Sequence, residues 1–146
     1  MWSDNAQKPR FFGAYAHSLD PKGRITLPAR YRTCFNDSCF LTPSQFGDPC
    51  IVIWIPEDYE AFTGQISPSS WDDPSTRLRL RSWLRGTFEV EIDKSGRMPI
   101  PQPLRQIASL VREVSVQGAL ERIELWDPAV WDRYASSSVK AGDTES

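Results

Sequence analysis

Asp20 and Arg24 stand four residues apart, with Gly23 directly before the arginine. Asp93, Gly96 and Arg97 repeat the arrangement. These residue types allow three kinds of chemistry. Arg24 and Arg97 each carry a planar fork of N–H donors that can hold guanine O6 and N7 through two parallel hydrogen bonds, a contact worth about 1–3 kcal/mol of base discrimination. Lys22 and Lys94 add cationic heads on the same stretches for phosphate or base contacts, and Gly23 and Gly96 let backbone approach a phosphate closely. The second possibility is a purely internal ion pair between each aspartate and its arginine. The third is a two-carboxylate acid/base site built from Asp20 and Asp93. Each of these carboxylates has an arginine four residues on and a basic neighbourhood, which hold both ionised and oppose shared-proton chemistry. Their charge repels phosphate, so we read Asp20 and Asp93 as supports that cap a turn and hold the arginine.

The positioning elements are written twice. Asp20-Pro21-Lys22-Gly23-Arg24 and Asp93-Lys94-Ser95-Gly96-Arg97 lie 73 residues apart. At that offset Gly13 matches Gly86, Tyr15 matches Phe88, Leu19 matches Ile92, Pro28 matches Pro101 and Arg32 matches Arg105. With one residue lost, Ile51-x-x-Trp54-x-Pro56 matches Ile123-x-x-Trp126-x-Pro128, and Tyr59 and Phe62 match Trp131 and Tyr134. Each unit reads as strand, turn, strand, helix, strand, helix. Tyr15, His17 and Leu19 share one strand face at the period of two, and Phe88, Val90 and Ile92 repeat it. Pro21 and Gly23 suit the turn. A short helix is expected over 29–36 and another over 102–109, with Arg32 and Arg105 either touching phosphates or pairing with the aspartates; we read both as turn-supporting. Asp73-Pro74 starts a helix that stops at Gly86. Its Arg77, Arg81 and Arg85 recur every four residues, a spacing that usually marks a solvated face. Trp54, Tyr59, Trp126 and Trp131 fit packing better than base stacking. The expected organisation is a flexible segment 1–10, a first module over 11–64, a linker and helix over 65–85, a second module over 86–136, and a disordered tail over 137–146.

The two Asp-x-x-x-Arg motifs, in the contexts His17-Ser18-Leu19-Asp20-Pro21-Lys22-Gly23-Arg24 and Val116-Gln117-Gly118 leading into Arg122-Ile123-Glu124-Leu125-Trp126, resemble the MraZ family of bacterial transcriptional regulators of the division and cell-wall gene cluster. The resemblance covers roughly residues 11 to 134. It implies an α+β fold in which two tandem swapped-hairpin β modules, related to the AbrB-type DNA binders, form a pseudo-twofold double-split β-barrel with short flanking helices. It also implies ring-shaped homo-oligomers that bind double-stranded DNA at promoter repeats, and it carries the family's DNA-contacting arginines onto Arg24 and Arg97. Lys22 directly precedes Gly23, whereas Ser95 takes that place in the second copy and Lys94 stands one position earlier. The two loops are therefore not chemically identical.

Composition agrees with a nucleic-acid binder once charge is mapped along the chain. The net charge is −2, but residues 1–35 carry +4, residues 36–76 carry −7, residues 77–112 carry +5 and residues 113–146 carry −4. Each motif sits in a basic stretch followed by an acidic one, so a positive face can coexist with an acidic total. Cys34, Cys39 and Cys50 are odd in number and irregularly spaced, which suits reduced packing cysteines rather than a disulfide framework or a metal site. His17, the single histidine, has no evident nucleophile partner, and no Gly-x-Ser-x-Gly or phosphate-binding Gly-Lys-Ser/Thr motif occurs. We therefore expect no enzyme, cofactor or small-molecule substrate. No apolar run is long enough for a membrane span and no signal peptide is evident, so a cytoplasmic, nucleoid-associated protein is expected. The alternative is a related-fold, antitoxin-like module that binds a protein partner without specific DNA readout.

Overall fold

The computed structural model describes residues 11–145, with side-chain surroundings described through residue 137. The expected flexible segment 1–10 lies outside the described residues. The strands are β1 (Ala14–Ser18), β2 (Arg24–Thr26), β3 (Ser38–Pro43), β4 (Ile51–Trp54), β5 (Phe88–Glu91), β6 (Arg97–Pro99), β7 (Glu113–Ala119) and β8 (Arg122–Trp126). The helices are α1 (Ala29–Arg32), α2 (Pro56–Gly64), α3 (Pro74–Arg85), α4 (Gln102–Ala108) and α5 (Pro128–Glu145), with a 3-10 turn at Pro68–Trp71 in the polar linker. The protein is α+β.

Local chemistry explains most boundaries. Asp73 caps α3: its Oδ2 accepts the Thr76 N–H at 2.9 Å and the Ser75 and Thr76 hydroxyls at 2.7 and 2.8 Å. Pro56 and Pro74 fill first-turn positions where no amide donor is needed. Gly86 ends α3 with φ −88°, not in the left-handed conformation common at helix ends. What requires glycine there is space, since a Cβ would lie 2.7 Å from Pro43 Cγ.

Six strands form one antiparallel sheet in the order β1-β7-β8-β4-β3-β5, and β2 and β6 form a separate antiparallel ribbon. The order is the same from either end once each strand is replaced by its repeat counterpart, so a pseudo-twofold axis runs between β4 and β8. Four of the six strand pairings join the two repeats, while β3 pairs with β4 and β7 with β8 inside one repeat. β1 pairs with β7, β5 with β3, β4 with β8 and β2 with β6.

Every residue of β4 is buried, because both sheet faces are covered. Ile51 and Ile53 face the larger core, which holds Ile25, Leu27, Tyr31, Met98, Ile100 and Leu104 from the ribbon, α1 and α4. Val52 and Trp54 face the opposite way, with Trp126, into a second cluster closed by Tyr59, Phe62, Trp83, Trp131 and Tyr134 of α2, α3 and α5. The repeated aromatics are thus packing residues. Trp54 Nε1 donates to Thr42 Oγ1 at 2.9 Å, and Trp83 Nε1 donates to the Pro43 carbonyl at the same distance.

Three expectations change. The helix after β2 covers only Ala29–Arg32 rather than 29–36. The arginine stripe on α3 is not wholly solvated, because Arg77 Nη1 donates to the Trp71 carbonyl at 2.8 Å. The tail read as disordered from residue 137 continues as α5 to Glu145. Trp131 and Tyr134 anchor that helix against Trp126, with ring centroids 5.0 and 4.9 Å away, and extending a formed helix costs far less than starting one.

Candidate functional site

The two Asp-x-x-Gly-Arg turns have nearly superimposable hydrogen bonding. Asp20 Oδ1 accepts the backbone N–H groups of Lys22 and Arg24, both at 2.9 Å, and Oδ2 accepts Arg24 Nε–H at 2.7 Å. Asp93 Oδ1 accepts the N–H groups of Ser95 and Arg97 at 2.9 Å, and Oδ2 accepts Arg97 Nε–H at 2.8 Å. Each turn is closed by a bond from its glycine N–H to the aspartate carbonyl, at 2.9 Å in both. Gly23 (φ +77°) and Gly96 (φ +81°) adopt the left-handed conformation that side-chain-bearing residues avoid.

One carboxylate thus serves two purposes. It satisfies two turn amides, and it fixes the guanidinium by its Nε edge. Four of the five N–H donors of an arginine lie on the two terminal nitrogens, which that bond does not engage. Both carboxyls are held below the usual aspartate range. The backbone N–H of the arginine is the largest cause in each turn, opposed by partial burial and reinforced by the guanidinium. The second turn is the more open: Arg97 and Asp93 side chains are 43% and 40% exposed, against 30% and 29% for Arg24 and Asp20.

The two turns stand at opposite ends of one ribbon. Arg24 pairs with Pro99, Ile25 with Met98 and Thr26 with Arg97. The ladder extends one step at each end, where Leu27 N–H donates to the Gly96 carbonyl at 2.9 Å and Ile100 N–H to the Gly23 carbonyl at 3.0 Å. By strand alternation, Ile25 and Met98 point into the core, 1% and 0% exposed. Arg24, Thr26, Arg97 and Pro99 share the outer face. Arg24 and Arg97 are diagonal neighbours there, with Cα atoms roughly 7–8 Å apart by ladder geometry. Lys22 and Lys94 are exposed on the adjoining turns, while Gly23 and Gly96 are buried against the rest of the chain.

Arg32 and Arg105 do not pair with the aspartates. Arg32 Nη2 donates to the Leu27 carbonyl at 3.2 Å, and Arg105 Nε to the Ile100 carbonyl at 2.9 Å. Each guanidinium then backs the turn of the other repeat. Arg105 lies beside Gly23, where a Cβ would be 3.1 Å from its Cζ, and Arg32 lies so close to Gly96 that a Cβ there would overlap it. The repeat match of Arg32 with Arg105 signals a shared role. The crossing cannot be read from it, because each arginine is equally near in sequence to its own turn. The sequence singles out Gly118 as part of the motif context but not its packing role. Phe11 pairs with Leu120, Gly118 N–H donates to the Gly13 carbonyl at 2.9 Å, and a Cβ on Gly118 would overlap the Phe11–Phe12 backbone.

This site occurs in a chain whose two halves both match one family model, described as "MraZ protein, putative antitoxin-like", over residues 10–82 and 83–145. The chain belongs to the MraZ family. It is 34% identical over 125 residues to a protein of Acetivibrio thermocellus named Transcriptional regulator MraZ, covering 86% of each chain. A protein of Cutibacterium acnes with the same name is 34% identical over 131 residues, covering 90% of this chain and 91% of its own. In this MraZ family member the two matched segments meet inside α3, so the helix joins the repeats as well as covering the sheet.

Proposed function

We propose that this chain is a sequence-specific DNA-binding transcriptional regulator, a repressor of the division and cell-wall gene cluster, which reads repeated promoter motifs through Arg24 and Arg97. The observation that carries the reading is the placement of both arginines on the outer face of one ribbon, each held by a carboxylate through Nε. A two-stranded ribbon fits the major groove of B-DNA. Arginines roughly 7–8 Å apart at the backbone would address bases about two to three steps apart, at ~3.4 Å per step. Holding each guanidinium in the free protein removes part of the ordering cost of binding, about 0.5–1.5 kcal/mol for a long side chain. Lys22 and Lys94 extend the cationic surface from the same turns, and Gly23 and Gly96 set the turn backbone. The aspartates and the crossed Arg32 and Arg105 keep the readers in place. The exchange of β2 and β6 between repeats supports the reading of the fold as two swapped-hairpin modules in a pseudo-twofold double-split barrel.

One chain offers a single ribbon, which is little basic surface for tight binding. A homo-oligomer, a ring in this reading, arrays ribbons along repeated sites and gains by multivalency. The protein acts on DNA in the cytoplasm, at the nucleoid, and performs no catalysis. Among the described residues no helix is long and apolar enough to cross a membrane.

The test is binding of the wild type, Arg24→Ala, Arg97→Ala and the double variant to duplex DNA from upstream of the protein's own gene, over a salt series. Each single variant should lose roughly 5- to 150-fold in preference for that DNA, the equivalent of about 1–3 kcal/mol, while staying folded. A wild type with no preference for that DNA, or a folded double variant with unchanged preference, would sink the reading. An antitoxin-like role with a protein partner would then take its place.

A further inference from the structure

We infer that a cleft beside the first turn is a site for a DNA backbone phosphate, held by Arg112 together with Arg105. We further infer that the second turn has an aspartate where the first has Arg112, so the two ends of the ribbon grip DNA unequally. This inference rests on the DNA-binding reading above. The cleft has a volume of about 490 Å³, and Asp20, Pro21, Gly23, Arg105, Val111 and Arg112 line it.

The asymmetry follows from the strand that leads into each turn. At the end of β1, Leu19 N–H donates to the Arg112 carbonyl at 2.7 Å. At the end of β5, Ile92 N–H donates to the Asp37 carbonyl at 2.8 Å. Leu19 and Ile92 are repeat counterparts, so Arg112 and Asp37 occupy equivalent places in the fold. They are 75 residues apart rather than 73, because the helix-containing segment between the ribbon strand and the next sheet strand is two residues longer in the second repeat, 100–112 against 27–37. Alignment at the repeat offset therefore never sets them side by side.

The charges in the cleft favour an anion. Arg112 is 80% exposed, and its ion pair with Glu113 is 3.9 Å long with the glutamate 65% exposed, a pair worth little in water and easily exchanged for phosphate. Arg105 is fixed by Nε on the Ile100 carbonyl, so its guanidinium stays beside Gly23. The one carboxylate in the wall, Asp20, has Oδ1 taken by two backbone amides and Oδ2 by Arg24 Nε. Around the second turn, Asp37 and Asp93 stand with Arg32, and the local charge is correspondingly less positive. Each phosphate neutralised by a protein cation releases counterions and steepens the salt dependence by about 0.9 in log–log slope.

The experiment measures binding of the full chain to duplex DNA from upstream of its own gene and to a scrambled duplex of equal length, from low to high salt. Arg112→Gln should weaken both complexes by one common factor, roughly 8-fold at 0.1 M salt for one lost counterion-releasing contact, and lower the slope by about 0.9 per bound chain, with sequence preference kept. Asp37→Arg should raise the slope by a similar amount. If the wild type binds and Arg112→Gln leaves affinity and slope unchanged, or changes affinity for one duplex only, the phosphate site is overturned while the base-reading role of Arg24 and Arg97 stands. A wild type that binds neither duplex would overturn both.

Discussion

Gly96→Ala should destabilise the protein more than Gly23→Ala, although the two glycines hold equivalent turn positions with φ of +81° and +77°. The left-handed conformation costs an alanine about 1–2 kcal/mol at either site. The difference lies behind the turns. At Gly23 the new methyl would sit 3.1 Å from Arg105 Cζ, which a few tenths of an ångström of side-chain movement relieves. At Gly96 it would sit 2.5 Å from Arg32 Cζ and closer still to Nε, so the guanidinium must leave. Leaving breaks the Arg32 bond to the Leu27 carbonyl, and charge-assisted bonds contribute about 1.5–3 kcal/mol. Arg32 Nε, buried without a hydrogen bond among the described residues, regains hydration when it moves, which returns part of that loss. We set the excess at about 1–2 kcal/mol. With a urea slope of about 1–3 kcal/mol/M, the Gly96→Ala midpoint should fall roughly 0.3–2 M below that of Gly23→Ala at equal protein concentration. Arg32→Ala should abolish the excess, because the methyl then has room. Equal midpoints, or an excess that persists in the Arg32→Ala background, would refute the crossed bracing of the turns.

Met98→Ala should cost about 2–5 kcal/mol, since Met98 is fully buried beneath the ribbon, and urea or thermal unfolding checks it. Acid should weaken the turns in a defined direction. The Asp20 and Asp93 carboxyls lie below their ordinary value when folded, so their stabilising contribution is complete above the unfolded aspartate pKa near ~3.9 and is lost as pH falls through the folded values. Asp73, lowered to about 2 chiefly by the Ser75 hydroxyl, extends the loss from about pH 4 towards 2; the urea midpoint should drop across that window, and less steeply in Asp73→Ala. In a thiol-reagent assay on native protein Cys34 should react first, because Cys39, pushed up to about 12 by burial, and Cys50, raised further by burial, are enclosed. Simultaneous reaction of all three would contradict this packing.

The candidate site was legible in the sequence to the extent that its chemistry is local. Asp20 and Gly23 define a turn within five residues, and Asp93 and Gly96 repeat it, so the capping carboxylate and the left-handed glycine follow from residue type. The start of α3 at Asp73-Pro74 and the alternation of β5 are local in the same way. Legibility failed where two elements distant in sequence meet. Arg105 against Gly23 and Arg32 against Gly96 are contacts between repeats, and the equivalence of Arg112 with Asp37 is hidden by a two-residue difference in the length of the helix-containing segment before each of them.

The sequence by itself determined a duplicated unit, the chemistry of its turns, and the segregation of positive charge around them. Only the tertiary structure decided that β2 pairs with β6 across the repeats and does not fold back on its own β1. A duplicated chain presents the same apolar alternation and the same edges in both copies, so pairing within a repeat and pairing between repeats look alike in sequence. The choice is made by long-range burial. Ile25 and Met98 cover the sheet together from one ribbon, and that ribbon brings Arg24 and Arg97 onto a single outer face.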